Sequence, residues 1–182
     1  MPQGVIYDTM STMTFELRPA TPDDSQAIEV VRITTWRVAY HGIMPDSYLD
    51  ALDVRPAMVR RRAEGIATGV TAGVVALRDG RLRGFSLYGA SRDEGIDGME
   101  VYAIYVLPDE FSTGMGRALM TESVDRVRES GHTEVGLWVL ADNARARRFY
   151  ERSGFTLSGR TKDLPDPPLK EVHYRMALGE TG

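Results

Sequence analysis

A chain of 182 residues, 42% hydrophobic with a net charge of −4, is sized for one domain with a real core, and its acidic balance argues against general nucleic-acid binding. It has no cysteine, which excludes disulfides, thiolate catalysis and cysteine-based metal sites. The three histidines, His41, His132 and His173, are too scattered for a zinc pair, and no apolar run approaches the roughly 20 residues of a membrane span. The opening 1–13 lacks the basic start and apolar stretch of a secretion signal. It reads as a flexible leader before a single domain over 14–182, and a soluble, cytoplasmic protein is expected.

In chain order, Phe15–Arg18 alternates like a short strand. Thr21 is an N-cap candidate, Pro22 suits the first helical position, and Asp23 and Asp24 favour a helix start, so a helix is expected to about Tyr40. Pro45–Leu49 and Pro56 to about Ile66 read as shorter helices, the second with Arg60, Arg61 and Arg62 as a solvated cluster. Thr71–Leu77 and Leu82–Tyr88 read as strands joined at Asp79-Gly80, a hairpin turn pair. A strand follows over Gly98–Leu107, a helix over Gly114–Glu129, and a strand over Glu134–Leu140. Next comes a helix over Asp142–Ser153, with Asp142 as N-cap and Gly154 as C-cap, then strands over Phe155–Arg160 and Glu171–Leu178 around the loop Pro165–Pro168. This order predicts an α/β fold, a mixed central sheet of about seven strands with helices on both faces.

Within it, Pro108–Leu119 reads PDEFSTGMGRAL and puts two glycines where a helix begins. Glycine costs about 1 kcal/mol against alanine inside a helix, so their placement suits a ligand approaching the backbone, and a helix N-terminus suits a phosphate. The pattern is neither a Walker loop nor a complete dinucleotide fingerprint. In the strand before it, Glu100, Tyr102, Ile104 and Val106 share one parity and are expected on one face. A carboxylate in an apolar strand is costly unless paired or functional, so Glu100 is either a base or the partner of solvent or an arginine.

Three segments together resemble the GNAT superfamily of N-acetyltransferases: MEVYAIYVLPDEFSTGMGRALM from Met99, VGLWVL from Val135, and DNARARRFYERSGF from Asp142. The closing YRMAL, Tyr174–Leu178, resembles the family's last strand. The resemblance implies a GNAT fold and acetyl-CoA, or another acyl-CoA, its pyrophosphate cradled by the loop Phe111, Ser112, Thr113, Gly114, Met115 and Gly116, with Arg117 beside it. The family's loop is Q/R-x-x-G-x-G/A, usually with a glycine second; here Phe111 and Ser112 stand at those places, and Arg117 is a candidate to compensate. The resemblance further implies that main-chain groups at Ile104 and Val106 pair with the pantetheine arm and that Asn143 contacts it. It gives Glu100 as general base and Tyr150 as the acid facing the thioester sulfur, with aromatic packing as the alternative for Tyr150.

Acceptor residues are less legible. Trp36 and Tyr40 lie on a helical stripe that is either core or acceptor wall. The expected activity is acetyl transfer to a primary amine, a small molecule before a peptide amine, by direct attack in a ternary complex. The alternative is an acyl-CoA-binding sensor of the same fold. No metal, nucleic-acid or membrane partner is expected, and a homodimer is compatible with the sequence.

Overall fold

The computed structural model describes residues 5–7, 14–96 and 98–179. Its eight strands are β1 Val5–Tyr7, β2 Phe15–Pro19, β3 Ala72–Arg78, β4 Arg81–Ala90, β5 Met99–Val106, β6 Glu134–Leu140, β7 Thr156–Pro165 and β8 Pro168–Ala177. They form one sheet in the order β1-β2-β3-β4-β5-β6-β8-β7. The helices are α1 Ser25–Ala39, α2 Asp46–Asp50, α3 Pro56–Ala67, α4 Met115–Glu129 and α5 Ala144–Arg152. The mixed sheet with helices on both faces is as expected, with the short β1 added at its edge. The segment read as a leader lies mostly outside the described residues; within it, the Val5–Tyr7 backbone runs antiparallel to β2.

One helix layer packs α4 against Val74, Ala76, Val101, Val135, Leu137 and Val139, through Met115, Leu119, Met120, Val124 and Val127. On the opposite face, Ile28 and Val31 of α1 pack on Val75, Phe85 and Leu87. The Asp79-Gly80 turn has positive φ at both positions, 51° and 71°, the geometry that matches the twist of a two-residue hairpin.

Three features differ from expectation. A β-bulge falls where Leu87 pairs Ala103 and Tyr88 pairs Val101, which leaves Tyr102 as the extra residue. Alternation therefore inverts along β5. Ile104 and Val106 join Val101 on the α4 face, while Ala103 and Tyr105 pack on the α1 side, so Glu100 does not share a face with Ile104 and Val106. The N-cap of α5 is Asn143 rather than Asp142: the Asn143 side-chain oxygen accepts from the Ala146 N–H at 3.0 Å. Finally, Arg62 is not a solvated member of an arginine run. It pairs at 2.8 Å with Glu29 of α1, a buried carboxylate that also binds Arg32 at 2.6 Å. Glu29 needs both partners because an uncompensated buried charge is strongly destabilising.

The site is positioned by the one parallel contact in the sheet. β5 and β6 pair only at Met99 with Val135 and Glu100 with Gly136. Beyond that point the two strands continue without pairing to each other. Their open ends lead to the two chain segments that begin α4 and α5.

Candidate active site

The loop between β5 and α4 turns sharply and leaves several backbone donors unpaired. Ser112 adopts φ 65° and Gly114 φ 90°, left-handed conformations that turn the chain sharply into α4. Serine thus occupies the place of the missing glycine with the backbone a glycine would have, at a local cost of about 1–2 kcal/mol. Among the described residues the N–H groups of Ser112, Gly114, Gly116 and Arg117 have no hydrogen-bond partner, and that of Met115 reaches only the Thr113 hydroxyl at 3.4 Å. Those from Gly114 to Arg117 are the orphan donors of a helix start. Gly116 faces Phe149 of α5, whose ring would lie 3.8 Å from an added Cβ.

The loop is anchored from beneath. Glu110 is buried, and it accepts from Arg78 at 2.9 and 2.8 Å and from Arg83 at 3.2 Å. Arg83 also binds Asp109. The Arg78 hydrogen bonds, opposed by burial and helped by Arg83, hold the Glu110 carboxyl below its ordinary range. Thr113 donates its hydroxyl to the Glu110 carbonyl at 2.9 Å, which ties the loop to this anchor.

Helix α5 brings Tyr150 to the gap between β5 and β6. Tyr150 packs against the α4 core cluster, 6.2 Å from the Phe155 ring and 6.3 Å from the Tyr174 ring. Burial, followed by the nearby Tyr105 hydroxyl, pushes the Tyr150 pKa well above 10.0, so the phenol remains protonated at any working pH. Asn143 is buried and serves as the α5 cap. The Val106 carbonyl accepts from the Thr35 hydroxyl of α1 at 2.9 Å.

On the other face, Tyr40 and Tyr105 join their hydroxyls at 3.1 Å, and the Trp36 ring stands edge-on to both at 5.0 and 6.2 Å. The Arg32 guanidinium lies 4.7 Å over Trp36. Tyr40 is buried with Leu49 and Leu140, and Trp36 packs beside it. Glu100 is buried, and both its oxygens are engaged by Arg92: the guanidinium at 2.6 Å and the backbone N–H at 3.2 Å. Arg92 also lies 4.0 Å over the Tyr102 ring. Beyond it, Lys162 of β7 holds its ammonium 3.5 Å from Asp93, 3.5 Å from Glu171 and 4.2 Å over the Trp138 ring. The Trp138 indole donates to Asp93 at 2.5 Å.

The predicted residues thus fall into two groups on either side of the β5–β6 gap. The loop 111–117, Ile104, Val106, Asn143 and Tyr150 lie toward α4 and α5; Trp36, Tyr40 and Glu100 lie toward α1 or the base of the gap. Tyr105, Arg92, Trp138, Lys162 and Glu171 escaped sequence reasoning. Tyr105 could have been found only by allowing for a bulge, and the others gain meaning only from strand pairing.

A loop of free amides at a helix start, beside an open strand pair, suits a phosphate-bearing ligand. Comparison with known proteins makes the class specific. Residues 34–155 match the Acetyltransferase (GNAT) family. The chain is 31% identical over 131 residues to the uncharacterized N-acetyltransferase YuaI of Bacillus subtilis, covering 70% of this chain and 72% of that protein. Its fold is similar to that of the PaiA N-acetyltransferase of Thermoplasma acidophilum in complex with coenzyme A, with a TM-score of 0.73 and 19% identity over 91% of this chain and 99% of that one. It is also similar to YncA of Salmonella typhimurium with acetyl-CoA, with a TM-score of 0.66 and 20% identity over 92% of this chain and 96% of that one. The chain belongs to the GNAT family, and it is an acetyl-CoA-dependent N-acetyltransferase. Among the described residues no helix is long and apolar enough to cross a membrane.

Proposed function

We propose that the acceptor is a primary amine on a small molecule, acetylated by direct attack in a ternary complex. The observation that carries this reading is the setting of Lys162. A face that already holds one alkylammonium between two carboxylates and an indole ring suits another, and the adjoining Trp36, Tyr40 and Tyr105 offer an aromatic wall. Acetyl-CoA supplies the activated thioester. The free amides of the loop 111–117 hold its phosphates, while main-chain groups of Ile104 and Val106 orient the arm along β5 and Asn143 borders it. Tyr150 gives a proton to the departing sulfur, which its neutral state allows. Glu100 takes the proton of the acceptor ammonium, through solvent at the exposed edge of Arg92. Both its oxygens are engaged by Arg92, and the rate should rise with pH as the amine deprotonates itself.

The test is free-thiol release across a panel of small primary amines and of peptides with free N-termini, with calorimetric CoA binding in parallel. Turnover concentrated among small amines is expected. Turnover confined to peptides, with CoA bound normally, would overturn the small-molecule assignment.

A further inference from the structure

The loop that carries Phe111 lacks a charged side chain at that place, yet a charge sits there. The guanidinium of Arg145, in the first turn of α5, stacks 3.7 Å from the centroid of the Phe111 ring. Among the described residues Arg145 has no carboxylate within ion-pair distance, unlike Arg18, Arg32, Arg62, Arg78, Arg83, Arg92, Arg126 and Arg128, each of which has one. An aromatic face orients a guanidinium without neutralising it and leaves its fork of N–H donors available. Arg145 and Phe149 are four residues apart and so lie on one face of α5, and Phe149 borders Gly116. That face runs along the loop whose Ser112, Gly114, Gly116 and Arg117 N–H groups are free. An unpaired cation fixed beside four unpaired amide donors is a two-sided receptor for phosphate oxygens.

We propose that Arg145, seated on Phe111, is a phosphate-binding residue for the nucleotide half of CoA. The loop supplies the platform and the amides, and α5 supplies the charge. The inference rests on the reading that this loop holds the CoA phosphates. It reverses the effect that simple restoration of a basic loop residue would have: Phe111→Arg removes the platform and sets two guanidiniums against each other.

The experiment is equilibrium binding of CoA, 3′-dephospho-CoA and phosphate-free pantetheine, over a range of salt, to the wild type, Arg145→Gln, Phe111→Leu and Phe111→Arg. Circular dichroism and thermal midpoints confirm folding; the exposed position of Arg145 makes its replacement benign for the fold. Arg145→Gln should weaken CoA by roughly ten- to a hundredfold and flatten the salt dependence, because a charge-assisted contact is lost. Phe111→Leu should cost several-fold, and Phe111→Arg should fail to tighten binding. Pantetheine affinity should not move. A penalty that persists with 3′-dephospho-CoA places the guanidinium on the diphosphate, and one that vanishes places it on the 3′-phosphate; both support the proposal. Unchanged CoA affinity and salt slope in folded Arg145→Gln would overturn it, as would an equal loss for pantetheine. If the wild type binds pantetheine as tightly as CoA, it is the reading of the loop itself that fails.

Discussion

In the proposed mechanism Tyr150 and Glu100 have opposite roles, one giving a proton and the other taking one. Tyr150 is kept neutral by burial and by Tyr105, so it still carries the proton that role requires across the working range. Tyr150→Phe should lower the single-turnover rate roughly 10²–10⁴-fold, with no recovery at high pH, while CoA affinity stays near that of the wild type. Because its pKa lies well above 10.0, the wild type should show no alkaline loss from Tyr150 up to about that pH. Glu100→Gln should also slow single turnover, but its defect should shrink as pH rises and the acceptor amine loses its own proton. Full activity of that variant at neutral pH would remove Glu100 from the chemistry. Glu171, beside Lys162 and electrostatically coupled to Tyr40 and Tyr105, would then be the base to test. The sequence marks Glu100 and Tyr150 as unusual for their surroundings, one by its charge in an apolar strand and the other by its motif. It gives no sign of Arg92, which reaches Glu100 from the β4–β5 connection, nor of Tyr105, whose side of the strand is decided by the bulge at Tyr102.

At the scale of the element, the β5–α4 loop combines two glycines with different reasons to be glycine. Gly114 has φ 90°, so any side chain there is strained before a ligand is considered. Gly116 is helical, and an added Cβ meets only Phe149, at an ordinary 3.8 Å. Gly116→Ala should therefore raise or preserve the thermal midpoint of the free protein, since alanine is favoured by up to about 1 kcal/mol in a helix. If the loop holds phosphate as proposed, the variant should weaken CoA by adding a methyl group to the first turn; calorimetry and a melting curve on the same variant separate the two effects. Ser112→Gly relieves the left-handed serine, but it adds unfolded-state entropy of about 0.5–1 kcal/mol, so its net gain in stability should stay within about 1 kcal/mol. The helices and strands themselves were largely readable, since periodicity and turn residues such as Asp79-Gly80 and Gly154 act locally. What was not readable depends on pairing across the sheet. The bulge at Tyr102 arises from register with β4, and the early end of the β5–β6 ladder is a property of two strands at once. The role of Asn143 as cap rather than Asp142 turns on a one-residue shift that propensity does not resolve.

Over the whole molecule, three carboxylates with arginine partners tie elements of the fold to one another. Asp24 binds Arg18 of β2, Glu29 binds Arg32 and Arg62 and so joins α1 to α3, and Glu110 binds Arg78 and Arg83 beneath the β5–α4 loop. Burial alone would raise Asp24 and Glu29, but hydrogen bonds from Arg18 and Thr21 outweigh it for the first, and Arg32 with Arg62 outweighs it for the second; Glu110 is lowered chiefly by Arg78. Each group therefore binds a proton more weakly when folded than when unfolded. Its stabilising contribution is complete above the ordinary values of 3.8 to 4.5 and is lost as pH falls through the lower, folded values. Stability should begin to fall below about pH 6.5, where burial makes His173 bind its proton less readily folded than unfolded, and fall more steeply below about 5 as unfolding also takes up protons at the three carboxylates. Glu110→Gln should cost about 3–5 kcal/mol at pH 7, because it leaves Arg78 without its charge partner in a buried setting. It should also make the acid limb shallower, since one proton-uptake site is gone. Thr113 hangs on the Glu110 carbonyl and the loop turns on that segment, so CoA affinity in this variant should fall even where the fold remains intact. Urea unfolding of wild type and variant at a series of pH values reads the first two effects and calorimetry the third. An unchanged acid limb in Glu110→Gln would mean that the anchor beneath the loop does not contribute to the pH dependence, leaving Asp24 and Glu29 to account for it.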